Sequence, residues 1–138
     1  MRKILVCGGR DYDDYAKVCQ VLDVLHFHRT IDLIVHGAAP GADSLAEMWG
    51  KDNGVATDPN PARWRDLSHK DAVIRKNKFG KYDARAGHRR NREMLRKHPD
   101  IELVVAFPGH TGTADMTALA RKANIEVREV LDAFAISS

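Results

Sequence analysis

Residues 3–9 read Lys3-Ile4-Leu5-Val6-Cys7-Gly8-Gly9, and this stretch decides the fold. The apolar run Ile4 to Cys7 is short, as a buried strand is, and the two glycines that close it mark a tight turn. Working outward, the same grammar recurs. Residues 13–27 place Tyr15, Val18, Cys19, Leu22, Leu25 and His26 at helical spacing, with Asp13 or Asp14 as the cap. Ile31 to Val35 is a second apolar run, closed by His36-Gly37. A second helix opens at Ala42-Asp43-Ser44 and sets Leu45, Met48 and Trp49 on one face. Val55-Ala56-Thr57 reads as a third strand, and Asp58-Pro59-Asn60-Pro61 as a loop, because proline interrupts regular pairing. Residues 66–85 have no clear period and read as an insertion or lid-like loop, with one helical turn around Asp71 to Arg75. Ala86 to Lys97 is a basic helix, Leu103 to Phe107 a strong strand, Ala114 to Ala123 a helix and Ile125 to Val127 a last strand. The tail from Asp132 reads as frayed.

Strands alternating with helices require parallel pairing through helical crossovers. The expected fold is therefore α/β: a Rossmann-like doubly wound parallel sheet of about five strands with helices on both faces, one domain over residues 1–138. In such folds every strand presents its carboxyl end to one edge, and ligands bind there at the point where strand order reverses.

The chain has 138 residues, of which 43% are hydrophobic and 30% charged, a balance ordinary for a folded globular protein. No apolar run approaches the ~20 residues that span a bilayer. The amino-terminal apolar stretch is too short for a signal peptide. The two cysteines, Cys7 and Cys19, do not form a disulfide framework; Cys7 reads as a small buried hydrophobe. The expected compartment is reducing, hence cytoplasmic, with no membrane association. The net charge of +3 conceals an asymmetry: residues 63–97 hold 13 Lys and Arg against 4 Asp and Glu, a net of +9, which leaves −6 elsewhere. Such a segment is either a solvated face or an attractor of anions, among them phosphate, nucleotides and nucleic acid.

Four segments can carry chemistry. Gly8-Gly9-Arg10-Asp11-Tyr12 brings backbone close to a ligand at a helix start. Arg10 can grip phosphate, and Asp11 can accept from a ribose hydroxyl or simply cap. His36-Gly37-Ala38-Ala39-Pro40-Gly41-Ala42-Asp43 forms a concave turn in which Asp43 is a ligand contact or an N-cap. It lacks the Gly-Lys-Ser/Thr ending of a Walker loop, and the dinucleotide spacing G-x-G-x-x-G is absent too. Phe107-Pro108-Gly109-His110-Thr111-Gly112-Thr113-Ala114-Asp115 offers backbone donors and two hydroxyls as a phosphate cradle, with His110 available for phosphate contact or proton transfer. In the basic helix, Arg90 and Asn91 lie beside Met94 and Leu95, so polar groups there point partly inward. No metal constellation forms, because His26-Phe27-His28 has no partner at ligand spacing, and no cofactor is called for.

These four segments, in this order, resemble the SLOG superfamily of Rossmann-like proteins, and within it the YspA, cpYpsA-related family. The resemblance implies a pocket for a nucleotide or nucleotide-derived ligand. That pocket would be built from Gly8, Gly9, Arg10, Asp11, Gly37, Gly41, Asp43, Arg90, Asn91, Pro108, Gly109, His110, Thr111, Gly112 and Thr113. The superfamily includes phosphoribohydrolases that cleave the base from nucleoside monophosphates, proteins that bind single-stranded DNA, and nucleotide sensors. Its enzymes carry a Pro-Gly-Gly-x-Gly-Thr-x-x-Glu pattern. Here Pro108, Gly109, Gly112 and Thr113 match, His110 replaces the second glycine, and Met116 stands where the enzymes have glutamate. Arg90 matches the arginine that those enzymes carry in the preceding helix. Binding or sensing is therefore the leading expectation. N-glycosidic hydrolysis with Asp11 or Asp43 as carboxylate and Arg90 on the phosphate is the first alternative. Nucleic-acid binding through residues 63–97 is the second. A homo-oligomer is a further expectation, since related folds pair through exposed helices.

Overall fold

The computed structural model describes residues 1–131 of the chain; the tail from Asp132, read above as frayed, lies outside them. Five parallel strands form the sheet: β1 (Lys3–Cys7), β2 (Leu33–His36), β3 (Ala56–Pro59), β6 (Leu103–Ala106) and β7 (Glu126–Glu129). Their spatial order is β3-β2-β1-β6-β7, so the chain winds outward from β1 in one direction and then restarts on its other side. The reversal falls between β1 and β6, the place where a doubly wound sheet opens a crevice for a ligand.

The side-chain alternation of the central strands sorts the helices. Ile4, Val6, Ile34, Leu103 and Val105 face a core shared with α1 (Tyr15–His28) and α2 (Ala42–Asp52), through Val18, Leu22, Leu25, Ala46 and Trp49. Leu5, Cys7, Val35, Val104 and Ala106 face the other core, shared with α3 (Ala86–Lys97) and α4 (Thr111–Lys122), through Met94, Met116 and Ala120. Strands buried on both faces are the reason their sequences read as unbroken apolar runs. Asp14 caps α1 by accepting from the Lys17 amide at 3.0 Å. Trp49 is fully buried and still satisfies its indole N–H on Asp23 at 2.8 Å.

Several boundaries and faces differ from the sequence expectation. Asp58 and Pro59 belong to β3, where an edge strand tolerates a proline that cannot donate. Ile31 is buried ahead of β2 and not within it. In α2 the buried face is Ala42, Asp43, Ala46, Trp49 and Gly50; Met48 is exposed and Leu45 only partly covered. Helix α4 starts at Thr111, three residues before the expected Ala114, which turns Thr111-Gly112-Thr113 from a loop into a first helical turn.

The largest correction concerns residues 66–85. No helical turn forms at Asp71 to Arg75. Instead β4 (Ile74–Asn77) and β5 (Gly80–Asp83) make an antiparallel hairpin, separate from the main sheet. A hairpin with all four β4 residues exposed cannot hold itself. It is fastened at Asp83, which is fully buried. Asp83 accepts from the amides of Val73 and Arg85 at 3.1 and 2.9 Å and from Arg89 Nη1 at 2.8 Å. The Arg89 guanidinium, followed by those amides, holds this carboxyl below the ordinary aspartate value. The hairpin is thereby tied to the first turns of α3.

Candidate functional site

At the β1/β6 reversal lies a cavity of about 510 Å³, within the range of small-molecule sites. Its floor is the carboxyl end of β1 (Val6, Cys7) with Met94 of α3. Its walls are the loop after β1 (Gly8 to Asp11), the loop after β2 (Gly37, Ala39, Asp43), α3 (Gly87, His88, Arg90, Asn91) and the first turn of α4 (His110 to Thr113), with Trp64 and Ala84 at the mouth. Most residues expected from the sequence to contact a ligand meet here.

Gly41, Pro108 and Gly109 do not line the cavity, and their part is to hold the loops together. Gly41 has φ +81, and a Cβ there would sit 2.1 Å from the Gly9 carbonyl oxygen. Its hydrogen in place of a side chain lets the second loop lie against the first, so that the Ala42 amide donates to that same oxygen at 3.1 Å. The Gly9 amide donates in turn to the Pro108 carbonyl at 2.8 Å, and a Cβ on Gly109 would collide with Thr113 Oγ1 at 2.2 Å. Three glycine-rich turns are thus interlocked by backbone alone.

Helix α3 braces them from the other side. Arg90 Nη1 donates to the carbonyls of Gly37 at 2.5 Å and Asn60 at 3.3 Å, and its Nε donates to Asn91 Oδ1 at 3.0 Å. Asn91 Nδ2 donates to Asp115 Oδ2 at 3.0 Å and to the Gly112 carbonyl at 3.3 Å. The adjacent pair Arg90-Asn91 therefore spans from the β2 loop to α4. Burial pulls the Arg90 guanidinium below its usual value, against the opposing pull of Asp43.

Asp43 is 5% exposed. Its Oδ2 accepts from the Gly37 and Ala39 amides at 3.1 and 3.2 Å, while Oδ1 accepts no hydrogen bond from the described residues. Burial raises its carboxyl above the usual aspartate value; the Ala39 amide, Arg90 and the Gly37 amide oppose the rise. Beneath this loop His36 Nδ1 accepts from the Ala38 amide at 3.0 Å, so the proton sits on Nε2 and is donated to Glu47 at 2.7 Å. The cavity-floor thiol, Cys7, is pushed up to about 12 by burial and then by Asp43, which keeps it protonated and inert.

The first turn of α4 points the remaining donors inward. His110 stands at the N-cap without a side-chain capping bond, and Gly112 has open space around it. Uncapped amides at a helix start, reinforced by the helix dipole, favour an anion. Arg10 and Asp11 are exposed at the mouth, with the Arg10 guanidinium carbon 5.4 Å above the Trp64 ring. Met116 is 1% exposed and packed in the α3/α4 core, so the position equivalent to the enzymes' glutamate does not line the cavity. Trp64, Gly87 and His88 also line the cavity, beyond the residues that the sequence expectation names. Gly87 carried a signal: glycine inside a helix is costly, and here a Cβ would meet Trp64 at 3.0 Å.

A five-stranded parallel sheet with this reversal and a glycine-walled cavity at its carboxyl edge defines a Rossmann-like α/β protein. Comparison with known proteins resolves the class further. The model of the YspA, cpYpsA-related SLOG family matches residues 2–66. The chain is also similar to the Gene 61 protein of Mycobacterium phage D29, 30% identical over 133 residues, which cover 92% of this chain and 94% of that protein. The chain belongs to the YspA, cpYpsA-related SLOG family. Membership points, at a coarse level, to nucleotide-related binding or function. Among the described residues no helix is long and apolar enough to cross a membrane.

Proposed function

We propose that this protein binds a nucleotide or nucleotide-derived ligand in the cavity at the β1/β6 reversal. The observation that carries the reading is convergence: the loops after β1 and β2, the uncapped start of α4 and the half-buried Arg90 all meet around one cavity. Phosphate sits on the amides of the α4 first turn, with Thr111 and Thr113 as hydroxyl partners and Arg90 and Arg10 supplying positive charge. Ribose and base lie toward Gly8 to Asp11 and Gly37 to Asp43, where small residues leave room for close approach.

The test is a thermal-shift screen of the protein against nucleoside mono- and diphosphates, NAD and ADP-ribose, with free nucleosides and inorganic phosphate as controls. A ligand at ~100 times its dissociation constant stabilises by about 2.7 kcal/mol, a readily seen shift. Stabilisation by phosphorylated ligands and not by nucleosides supports the reading. No shift across the panel defeats it.

One observation favours a second reading, N-glycosidic hydrolysis. Asp43 is a buried carboxylate on the cavity wall with one oxygen unpaired. A carboxylate so placed can steady a developing oxocarbenium ion or take a proton from water, the role carboxylates play in sugar hydrolysis. Running the screen mixtures for base release separates the readings. Release that disappears in Asp43→Asn makes the protein a hydrolase; stabilisation without product leaves it a binder or sensor.

A further inference from the structure

The residues Arg10 and Trp64 also line a second space. It is a more open groove of about 820 Å³, between the loop at residues 62–66 and the β4/β5 hairpin. Three aromatic rings and three arginines line the second groove: Trp64, Tyr82 and Phe79, with Arg10, Arg63 and Arg65. The Trp64 and Tyr82 rings meet edge to face, 6.3 Å apart. Phe79, at the hairpin tip, is 72% exposed.

The chemistry of this lining is specific. Arg63, Arg75, Lys76, Lys78 and Lys81 make no ion pair among the described residues, so the hairpin and its groove carry a net positive charge. The acidic group on the wall, Asp66, accepts at Oδ1 from the Ser68 amide and hydroxyl at 3.0 and 2.6 Å, and its Oδ2 lies 3.8 Å from His69 Nε2. A hairpin that served only solubility would need the lysines but not the exposed Phe79 beside Tyr82 and Trp64. Flat rings for stacking, interleaved with cations for phosphate, form the surface that nucleotide units joined by phosphate require.

We infer that the groove is a second nucleotide subsite, contiguous with the first, so that the preferred ligand has at least two nucleotide units joined through phosphate. This rests on the reading of the first cavity as a nucleotide site. The linking phosphate lies at Arg10, where the two spaces join. The second base stacks among Tyr82, Phe79 and Trp64, and a following phosphate meets Arg63. A dinucleotide and a single strand of nucleic acid share this chemistry.

The experiment compares three probes on the full chain by calorimetry: AMP, the 5′-phosphorylated dinucleotide pApA and a short adenylate oligonucleotide. The variants are Phe79→Ala and Arg63→Glu, both at exposed positions outside the first cavity. One stacked base contributes a factor of about ten or more. The expected result is pApA binding about tenfold tighter than AMP. Both variants remove that gain and leave AMP unchanged. An oligonucleotide that binds tighter still supports the subsite as part of a strand-binding surface, whereas equal affinity supports a dinucleotide ligand. If AMP binds and pApA is no tighter, or Phe79→Ala and Arg63→Glu leave its advantage intact, the second subsite is refuted while the first reading stands. If none of the probes binds, both fail together.

Discussion

Replacing Gly41 by alanine probes the joint on which the site depends. Two separate costs arise. The backbone there has φ +81 and ψ −128, a region open essentially to glycine alone, and alanine in it costs about 1–3 kcal/mol. The new Cβ would also lie 2.1 Å from the Gly9 oxygen, where ordinary contact begins at 3.4 Å. The two loops must separate by roughly 1.3 Å, the difference between those distances. That opening breaks the Ala42-to-Gly9 hydrogen bond, worth about 1 kcal/mol. Together these amount to about 3 kcal/mol, or a fall in Tm of about 10 °C for a domain of this size. Two further glycines calibrate the measurement. Gly54 has φ +66 but nothing within 4 Å, so Gly54→Ala bears only the conformational cost, about 1 kcal/mol. Gly112 has ordinary backbone and open space, so Gly112→Ala is neutral or stabilising by up to about 1 kcal/mol. Thermal unfolding followed by circular dichroism should rank the proteins Gly112→Ala at or above wild type, then Gly54→Ala, then Gly41→Ala. A Gly41→Ala protein no less stable than Gly54→Ala would refute the interlocked-loop description.

Other consequences can be checked independently. Asp83 has a carboxyl held below the ordinary 3.8, chiefly by Arg89. A depressed folded-state value contributes stability that is present above the unfolded value and lost as pH falls through the folded one. The stability deficit of Asp83→Asn should therefore be full near pH 6 and shrink below pH 3.8; a pH-independent deficit would disprove the pairing. Of the two thiols, only the half-exposed Cys19 should react with a disulfide reagent in the native protein at pH 8, and Cys7 only after denaturation. Two native thiols reacting at similar rates would contradict the closed cavity floor. Met116→Glu, which rebuilds the glutamate of the related enzymes, should lose several kcal/mol of stability, because that position is buried in apolar core and cannot solvate a charge. Near-normal stability of this variant would mean that position 116 opens toward the cavity after all.

What the sequence made legible followed from burial. Ile4 to Cys7, Ile34-Val35 and Leu103 to Ala106 are strands covered on both faces, so they appear as uninterrupted apolar runs, and the small residues after them reveal turns that must lie close together. The contribution of Arg90 and Asn91 was readable because polar residues beside Met94 had to point partly inward. The β4/β5 hairpin was not readable. Arg75-Lys76-Asn77 is exposed on both faces and has no alternation to detect; its anchor, the contact of Asp83 with Arg89, joins residues that the intervening helix start brings together. Trp64 escaped for the same reason, since it lies in an aperiodic segment and meets the cavity through tertiary contacts with Gly87 and Arg10. The early start of α4 was hidden because glycine and threonine suit a loop as well as a first helical turn.

The most direct measurement is calorimetric titration of wild type and Gly112→Asp with the nucleotide that stabilises the protein most, alongside its parent nucleoside. A Cβ at Gly112 meets no atom within 4 Å, and the position lies at the start of α4, where negative charge favours the helix, so an aspartate there is expected to preserve folding. The same charge occupies the place assigned to phosphate. The expected result is a Tm at or above wild type with nucleotide affinity reduced by about tenfold or more. Equal nucleotide affinity in the two proteins would contradict a phosphate site at the start of α4.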